Sequence, residues 1–165
     1  MEEVILVDEN DTPRGRMEKL EAHQKAELHR AFSVFIFTTD GELLLQKRAA
    51  HKYHSAGLWT NTCCSHPRPD ETTLEAANRR LKEEVGISAP LVHKTSFVYK
   101  AEFDNGLTEH EYDHVFVGVS DADPEINEEE VEDLRYATID KLKKEVQLYP
   151  ERFTAWFKIA IEELF

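Results

Sequence analysis

The sequence predicts a mixed α/β (α+β) sandwich. Stretches rich in Val, Ile and Phe read as strands and are interleaved with a few segments of helical apolar spacing. No internal repeat or low-complexity linker interrupts that order. At 165 residues the chain reads as one domain, 1–165, with one core.

The elements follow in order. Val4–Val7 reads as a short strand, and Asn10-Asp11-Thr12-Pro13-Arg14-Gly15 as a turn. Met17–His29 is rich in charge and lacks strand alternation. Ala31–Thr38 reads as a buried strand, Asp40-Gly41 as a two-residue hairpin turn, and Leu43–Gln46 as the return strand. Residues 49–58 form a loop, and Pro67-Arg68-Pro69-Asp70 cannot be helical. Thr72 then offers an N-cap, with Glu75 completing a capping box. Leu74, Ala77, Leu81 and Val85 mark one apolar helix face, and Gly86 ends it. Ser96–Phe103 and Tyr112–Ser120 read as strands around a turn at Asp104-Asn105-Gly106. Asp121–Asp133 is an acidic connector. Leu134–Ile139 reads as a strand, and Asp140 as the cap of a short helix, Lys141–Val146. Pro150 breaks the chain before a final amphipathic helix holding Phe153, Trp156, Phe157, Ala160, Ile161 and Leu164.

Composition excludes several classes. There are 33 acids against 20 bases, a net charge of −13, which argues against nucleic acid or an anionic membrane as partner. An anionic small substrate would need a local positive pocket. No apolar run approaches the ~20 residues of a membrane span. The acidic start Met1-Glu2-Glu3, with only Val4–Val7 as an apolar run, carries no signal-peptide pattern. The two cysteines are adjacent, and vicinal disulfides are strained, so both read as free thiols in a reducing compartment such as the cytoplasm.

The chemistry gathers around Thr60-Asn61-Thr62-Cys63-Cys64-Ser65-His66-Pro67, which sets a thiol two residues from an imidazole. Upstream lie His23 and His29, and downstream Glu109-His110-Glu111. On an extended segment Glu109 and Glu111 point to one side and His110 to the other. Three imidazoles (His23, His29, His66) and those two carboxylates would make a mixed nitrogen and oxygen site for manganese, zinc or magnesium. His51, His54, His93, His110 and His114 read as ordinary surface or core residues.

The helix tail Arg79-Arg80-Leu81-Lys82-Glu83-Glu84-Val85-Gly86-Ile87, taken with Glu71, resembles the Nudix box, a motif of about two dozen residues. Glu71, Arg79, Leu81, Glu83, Glu84, Gly86 and Ile87 fit its pattern. Ser65 stands where the first glycine belongs, and Arg80 where the first paired glutamate belongs. Exchanging a carboxylate for a cation weakens a multi-magnesium hydrolytic cluster, because hard cations need oxygen ligands. Glu84 remains as a single magnesium ligand, and Arg80 is turned toward an anionic group.

Together, His23, the run Leu28-His29-Arg30-Ala31-Phe32-Ser33, the run Trp59–Pro67, the degenerate box and Glu109-His110-Glu111 resemble the type I isopentenyl diphosphate isomerases. The similarity extends from about Val4 to Trp156. It implies a Nudix-type mixed β-sheet sandwich flanked by helices, and an enzyme moving a double bond within a five-carbon diphosphate ester. Cys64 and Glu111 match the family's acid–base pair, Tyr99 its assisting hydroxyl, and Trp156 the indole facing the carbocation. Lys19, Arg48, Lys52 and Arg80 match the diphosphate contacts. Glu84 would hold Mg2+ with the substrate diphosphate, and one Mn2+ or Zn2+ (or Mg2+) would occupy the His/Glu site. A small isoprenoid diphosphate is the implied partner, and a monomer or a homodimer is compatible with it. Two other readings stay open on the residues alone: a Nudix hydrolase of a nucleoside or other diphosphate, which Arg80 argues against, and a non-catalytic metal- or diphosphate-binding module.

Overall fold

The sheet is built on β3 (His29–Phe37), whose sequence HRAFSVFIF is β-branched and aromatic through its second half. The structure, a computed structural model, describes residues 2–52 and 54–165. Before β3 come β1 (Glu3–Val7), β2 (Pro13–Glu18) and the short helix α1 (Lys19–Gln24). After it come β4 (Glu42–Arg48), β5 (Trp59–Thr60), β6 (Cys63–Ser65) and helix α2 (Thr73–Val85). The chain ends with β7 (Val92–Glu102), β8 (Thr108–Val119), β9 (Val131–Thr138), α3 (Ile139–Leu148), a 3-10 turn at Pro150–Arg152 and α4 (Ala155–Glu163). Among the described residues, no helix is long and apolar enough to cross a membrane.

One edge of β3 pairs in parallel with β8, from His29↔Glu111 to Phe37↔Val119, and β8 pairs antiparallel with β7. The other edge meets β1 at His29, then β6 from Phe32 to Val34, and β4 only at Phe37↔Leu43. β4 then leaves β3 and pairs with β9 and β5. The Asp40-Gly41 hairpin therefore opens almost at once. Buried Thr62 enters the gap: its hydroxyl accepts from Ile36 N–H at 2.9 Å and donates to Leu44 C=O at 2.6 Å. Backbone groups that a closed ladder would have paired are satisfied by one side chain.

Strand alternation gives the sheet two faces. Phe32, Val34, Ile36 and Phe116 pack on one face against Ala76, Ala77, Leu81 and Val85 of α2. Phe35, Val115, Leu43, Leu45 and Ala137 pack on the other against α3 and α4. Thr72 and Glu75 form the capping box of α2, and Gly86 ends it in the left-handed region at φ 68°.

Several boundaries differ from the sequence reading. Pro13 and Gly15 belong to edge strand β2, where a proline at the first position sacrifices no ladder bond. The turn proper is held by Asp8, whose Oδ1 accepts from Asn10 and Thr12 N–H. Within Met17–His29 lies α1, capped by the Glu18 side chain. Leu74 is 45% exposed, because the buried stripe of α2 runs through Ala76, Ala77, Leu81 and Val85 and leaves the first turn uncovered. The cap of α3 is Thr138, not Asp140, which instead sits in the first turn where the helix dipole favours an acid. β9 begins at Val131, inside the acidic connector. Phe153 precedes α4, whose cap is Thr154.

A Cβ at Gly86 would lie 2.9 Å from both Cβ and the carbonyl oxygen of Glu125, and the backbone there is left-handed. Gly86→Ala is expected to destabilise the fold by about 1–3 kcal/mol, read as a shift in the denaturant midpoint at unchanged m-value.

Candidate active site

The register sets a group of polar side chains on the face that α4 covers. His29 lies beside Glu111 on β8, and Glu111 lies opposite Tyr99 on β7. Ser33, four residues further along β3, lies opposite Cys64 on β6. Beyond Ser33 the same face is apolar, with Phe35 and Val117. A pocket opens where this polar half emerges, lined among others by Lys19, Cys64, His66, Glu109, Glu111 and Trp156.

At its floor are two overlapping groups able to hold a metal ion: His23, His29, His66 and Glu111, and His23, His54 and Glu109. All are buried, with ligand atoms in each group within 4.8 Å of one another. Glu111 Oε2 is 3.1 Å from His29 Nε2 and 2.6 Å from His66 Nε2. Glu109 Oε2 is 3.5 Å from His54 Nε2 and 4.0 Å from His23 Nε2. His23 Nδ1 lies 2.7 Å from Lys19 C=O, and His29 Nδ1 lies 2.9 Å from Glu27 C=O. Carbonyls accept from each Nδ1–H and so aim the Nε2 atoms at the group, where Nε2 of His29 donates to Glu111 in metal-free protein and would ligate a metal ion once deprotonated. Burial, with the His66 charge adding, lowers His23 to about 4, and burial with Arg48 lowers His54 to about 2. Neutral imidazoles beside carboxylates fit a divalent cation. His110 turns away and meets Ala26 C=O.

Burial works to raise Glu111, but the His66 charge and the hydrogen bonds from His29 and His66 outweigh it and hold the carboxyl well below its usual range. Burial and the charge on Glu111 push Glu109 well up. The Tyr99 hydroxyl lies 2.5 Å from Glu111 Oε1 and 3.2 Å from Glu109 Oε1, and burial raises its own pKa. Burial also pushes the Cys64 thiol up, so it stays protonated. Cys63 alternates to the other face, packs against α2 and meets Glu84 Oε2 at 3.3 Å. Trp156 is buried at the pocket, its indole N–H donating to Asn61 Oδ1 at 3.2 Å. Trp59 lies away from the pocket, in the core under α4.

Lys19, Arg48, Lys52 and Arg80 all line the same pocket. Arg80 Nη2 reaches Glu84 at 3.1 Å and Glu130 at 3.4 Å, and Lys52 pairs with Glu130. Glu84 also accepts from Gln46 Nε2 at 3.0 Å. The Nε atoms of Arg48 and Arg80 are buried without a hydrogen-bond partner. Buried guanidinium N–H groups left unmatched are what an entering anion would satisfy.

Three side chains lining the pocket escaped the sequence reading. His54, read as an ordinary residue, is 8% exposed and stacks on Phe103. Glu130 was one acid among many in the connector. Ser33 sits beside Cys64, hydrogen-bonded at 2.8 Å to buried Asp113. No local spacing marks His54 or Glu130, because each arrives from a loop; the strand alternation of Ser33 with His29 was the one usable signal.

The profile of the NUDIX domain matches residues 27–157, so fold and site together define a Nudix protein. A Deinococcus radiodurans crystal structure superposes with a TM-score of 0.83 at 17% identity, covering 99% of each chain. A MutT protein from Methanosarcina mazei superposes with a TM-score of 0.65 at 23% identity, over 82% of this chain and 91% of that one. At the sequence level, the isopentenyl-diphosphate Delta-isomerase of Pectobacterium atrosepticum is 53% identical over 98% of this chain and 90% of its own. That of Serratia proteamaculans is 50% identical over 99% and 91%. The chain belongs to the isopentenyl-diphosphate Delta-isomerase family.

In metal-free protein, His23 and His54 stay neutral when folded but take up protons when unfolded below their ordinary 6.5. As pH drops from 6.5 toward 4 each histidine removes up to about 1.4 kcal/mol of stability per unit, while the raised Glu109 and Asp113 work the other way above their ordinary 4.5 and 3.8, so the net fall should be steepest below 4.5, where the lowered Glu111 adds to it. Denaturation midpoints of chelator-treated protein across that window, with and without added Zn2+, check this; zinc should raise the midpoint near pH 7.

Proposed function

We propose that this chain interconverts isopentenyl and dimethylallyl diphosphates by protonation and deprotonation. One observation carries the reading. Cys64 and Glu111 rise from the same sheet face but from strands on opposite flanks of β3, and both reach the same pocket. A five-carbon chain lying over β3 would pass between a protonated thiol and an ionised carboxylate.

In the forward direction the alkene π electrons take the proton from Cys64 Sγ, forming a C–H bond at the terminal carbon and leaving positive charge on the tertiary carbon. Glu111 takes a proton from the neighbouring carbon on the diphosphate side, and those C–H electrons form the new double bond. The reverse reaction exchanges the roles. Tyr99 orients Glu111 through their short hydrogen bond. The face of the Trp156 indole offers electron density to the developing cation, and its burial excludes water that would capture it. Arg48 lies 5.4 Å from the same ring, at the end where the diphosphate would bind. Lys19, Lys52 and Arg80 complete the anion-binding end, which the chain's net negative charge makes necessary.

His23, His29, His66, Glu109 and Glu111 would hold one divalent cation, manganese, zinc or magnesium, with His54 adjacent, and Glu84 a magnesium with the diphosphate. Bound there, the cations would supply positive charge that favours the ionised form of Glu111 and offsets the diphosphate. Two free thiols support a cytoplasmic setting. Hydrolysis is disfavoured because Arg80, ion-paired to Glu84, stands at the motif position of a Nudix glutamate.

Incubation with isopentenyl diphosphate and Mg2+ should yield dimethylallyl diphosphate, detected by phosphorus or proton NMR. No product from folded, metal-loaded protein would reject the reading, as would phosphate release in its place. Cys64→Ala should lose turnover by 10³-fold or more, on the order of a missing general acid, while Cys63→Ala should retain most of it. Glu130 holds Lys52 and Arg80 before substrate arrives, so Glu130→Gln should lower KM about threefold to tenfold at a smaller change in kcat, measured by initial rates.

A further inference from the structure

On the opposite sheet face from Glu111 lies a second cluster of imidazoles that the isomerase reading does not use. His93 Nε2, His114 Nδ1 and Ser96 Oγ stand 3.1 Å apart in all three pairs. Ser96 and His114 are directly opposite in the β7–β8 register. His93 joins them because the register shifts between His93 and Thr95, a bulge that re-aims its side chain. We propose that these three side chains form a peripheral site for a divalent transition metal.

Three atoms 3.1 Å apart make one face of a tetrahedron whose centre lies about 1.9 Å from each corner, against ~2.0–2.1 Å for zinc–imidazole bonds. His93 is exposed, so water has access to the group. An outer layer of support is already built. His114 Nε2 meets Asp11 Oδ2 at 2.9 Å, which keeps the proton on Nε2 and turns the Nδ1 lone pair toward His93 and Ser96. Asp11 is fixed in turn by Arg30, whose Nε and Nη2 donate to its Oδ1 and carbonyl oxygen at 2.8 Å each. Asp11 adopts φ 63°, a left-handed backbone that Asp and Asn tolerate. Burial lowers the His114 pKa against the opposing pull of Asp11, so the ring is neutral and available near pH 7. Two imidazoles and a hydroxyl suit Zn2+, Cu2+ or Ni2+ rather than Mg2+. A bound ion would tie the start of β7 to β8 and, through Asp11, to the β1–β2 turn.

The test is equilibrium dialysis against Zn2+ with elemental analysis, on protein whose buried His/Glu group is already loaded. Wild type should bind one zinc more per chain than His93→Ala or His114→Ala, with an unchanged metal-free melting temperature for His93→Ala. Asp11→Asn, which keeps the left-handed turn, should weaken the extra zinc at least tenfold. Equal zinc content in wild type and His93→Ala overturns the site, and that side chain is exposed enough to be removed without unfolding. Undiminished affinity in Asp11→Asn overturns the Arg30–Asp11–His114 support.

Discussion

The separation of β4 from β3 is the constraint on which the site depends. A hairpin that stayed closed would leave no room for the Thr60-Asn61-Thr62 segment. Because it opens after Phe37↔Leu43, those three residues enter fully buried and replace the missing ladder with side-chain hydrogen bonds. Thr62 bridges Ile36 and Leu44, and Asn61 Nδ2 donates to the carbonyl oxygens of Val34 and Cys63. Gln46 ties Thr62 C=O to Glu84 on α2. In low dielectric such a network is strong only when every member is satisfied, which fixes its geometry. Cys64 and Trp156 inherit that geometry, one through the chain and the other through Asn61 Oδ1.

Charge is organised on the same logic. The chain is strongly acidic, yet one pocket collects Lys19, Arg48, Lys52 and Arg80. Acids stand beside them: Glu84 and Glu130 at Arg80, Glu109 and Glu111 at the histidines. Buried opposite charges interact strongly and cost much to leave unmatched. The result is one cavity whose lining holds four basic side chains, a group of imidazoles and carboxylates, and the rings of Tyr99 and Trp156. The Nudix helix contributes Glu84 and, in place of a further carboxylate, Arg80, which pairs with Glu84 and Glu130.

Where periodicity and caps were strong, reading the sequence was enough. The capping box at Thr72 and Glu75, the stop at Gly86, and the existence of two strands around Asp104-Asn105-Gly106 follow from local chemistry, although those strands begin at Val92 and Thr108 and not at Ser96 and Tyr112. Weakly patterned segments were less legible. β2 hid behind Pro13 and Gly15, and α1 behind a polar run held by a capping Glu18. The pairing of Glu109 with Glu111 followed from the two-residue period of a strand, but their partner His54 arrives from a loop, where no period operates.

The sequence by itself determined the kinds of group at the site, the strand and helix that carry most of them, and the family resemblance, because residue type and local spacing are properties of the chain. Only the tertiary structure decided that Glu130 faces Lys52 and Arg80, that His54 joins His23 and Glu109, and that Cys64 and Glu111 flank β3. Those relations arise from the parallel β3–β8 register and the parting of β4, pairings between segments up to 82 residues apart, and the free energy that selects them comes from burying whole faces together and not from any short stretch of chain.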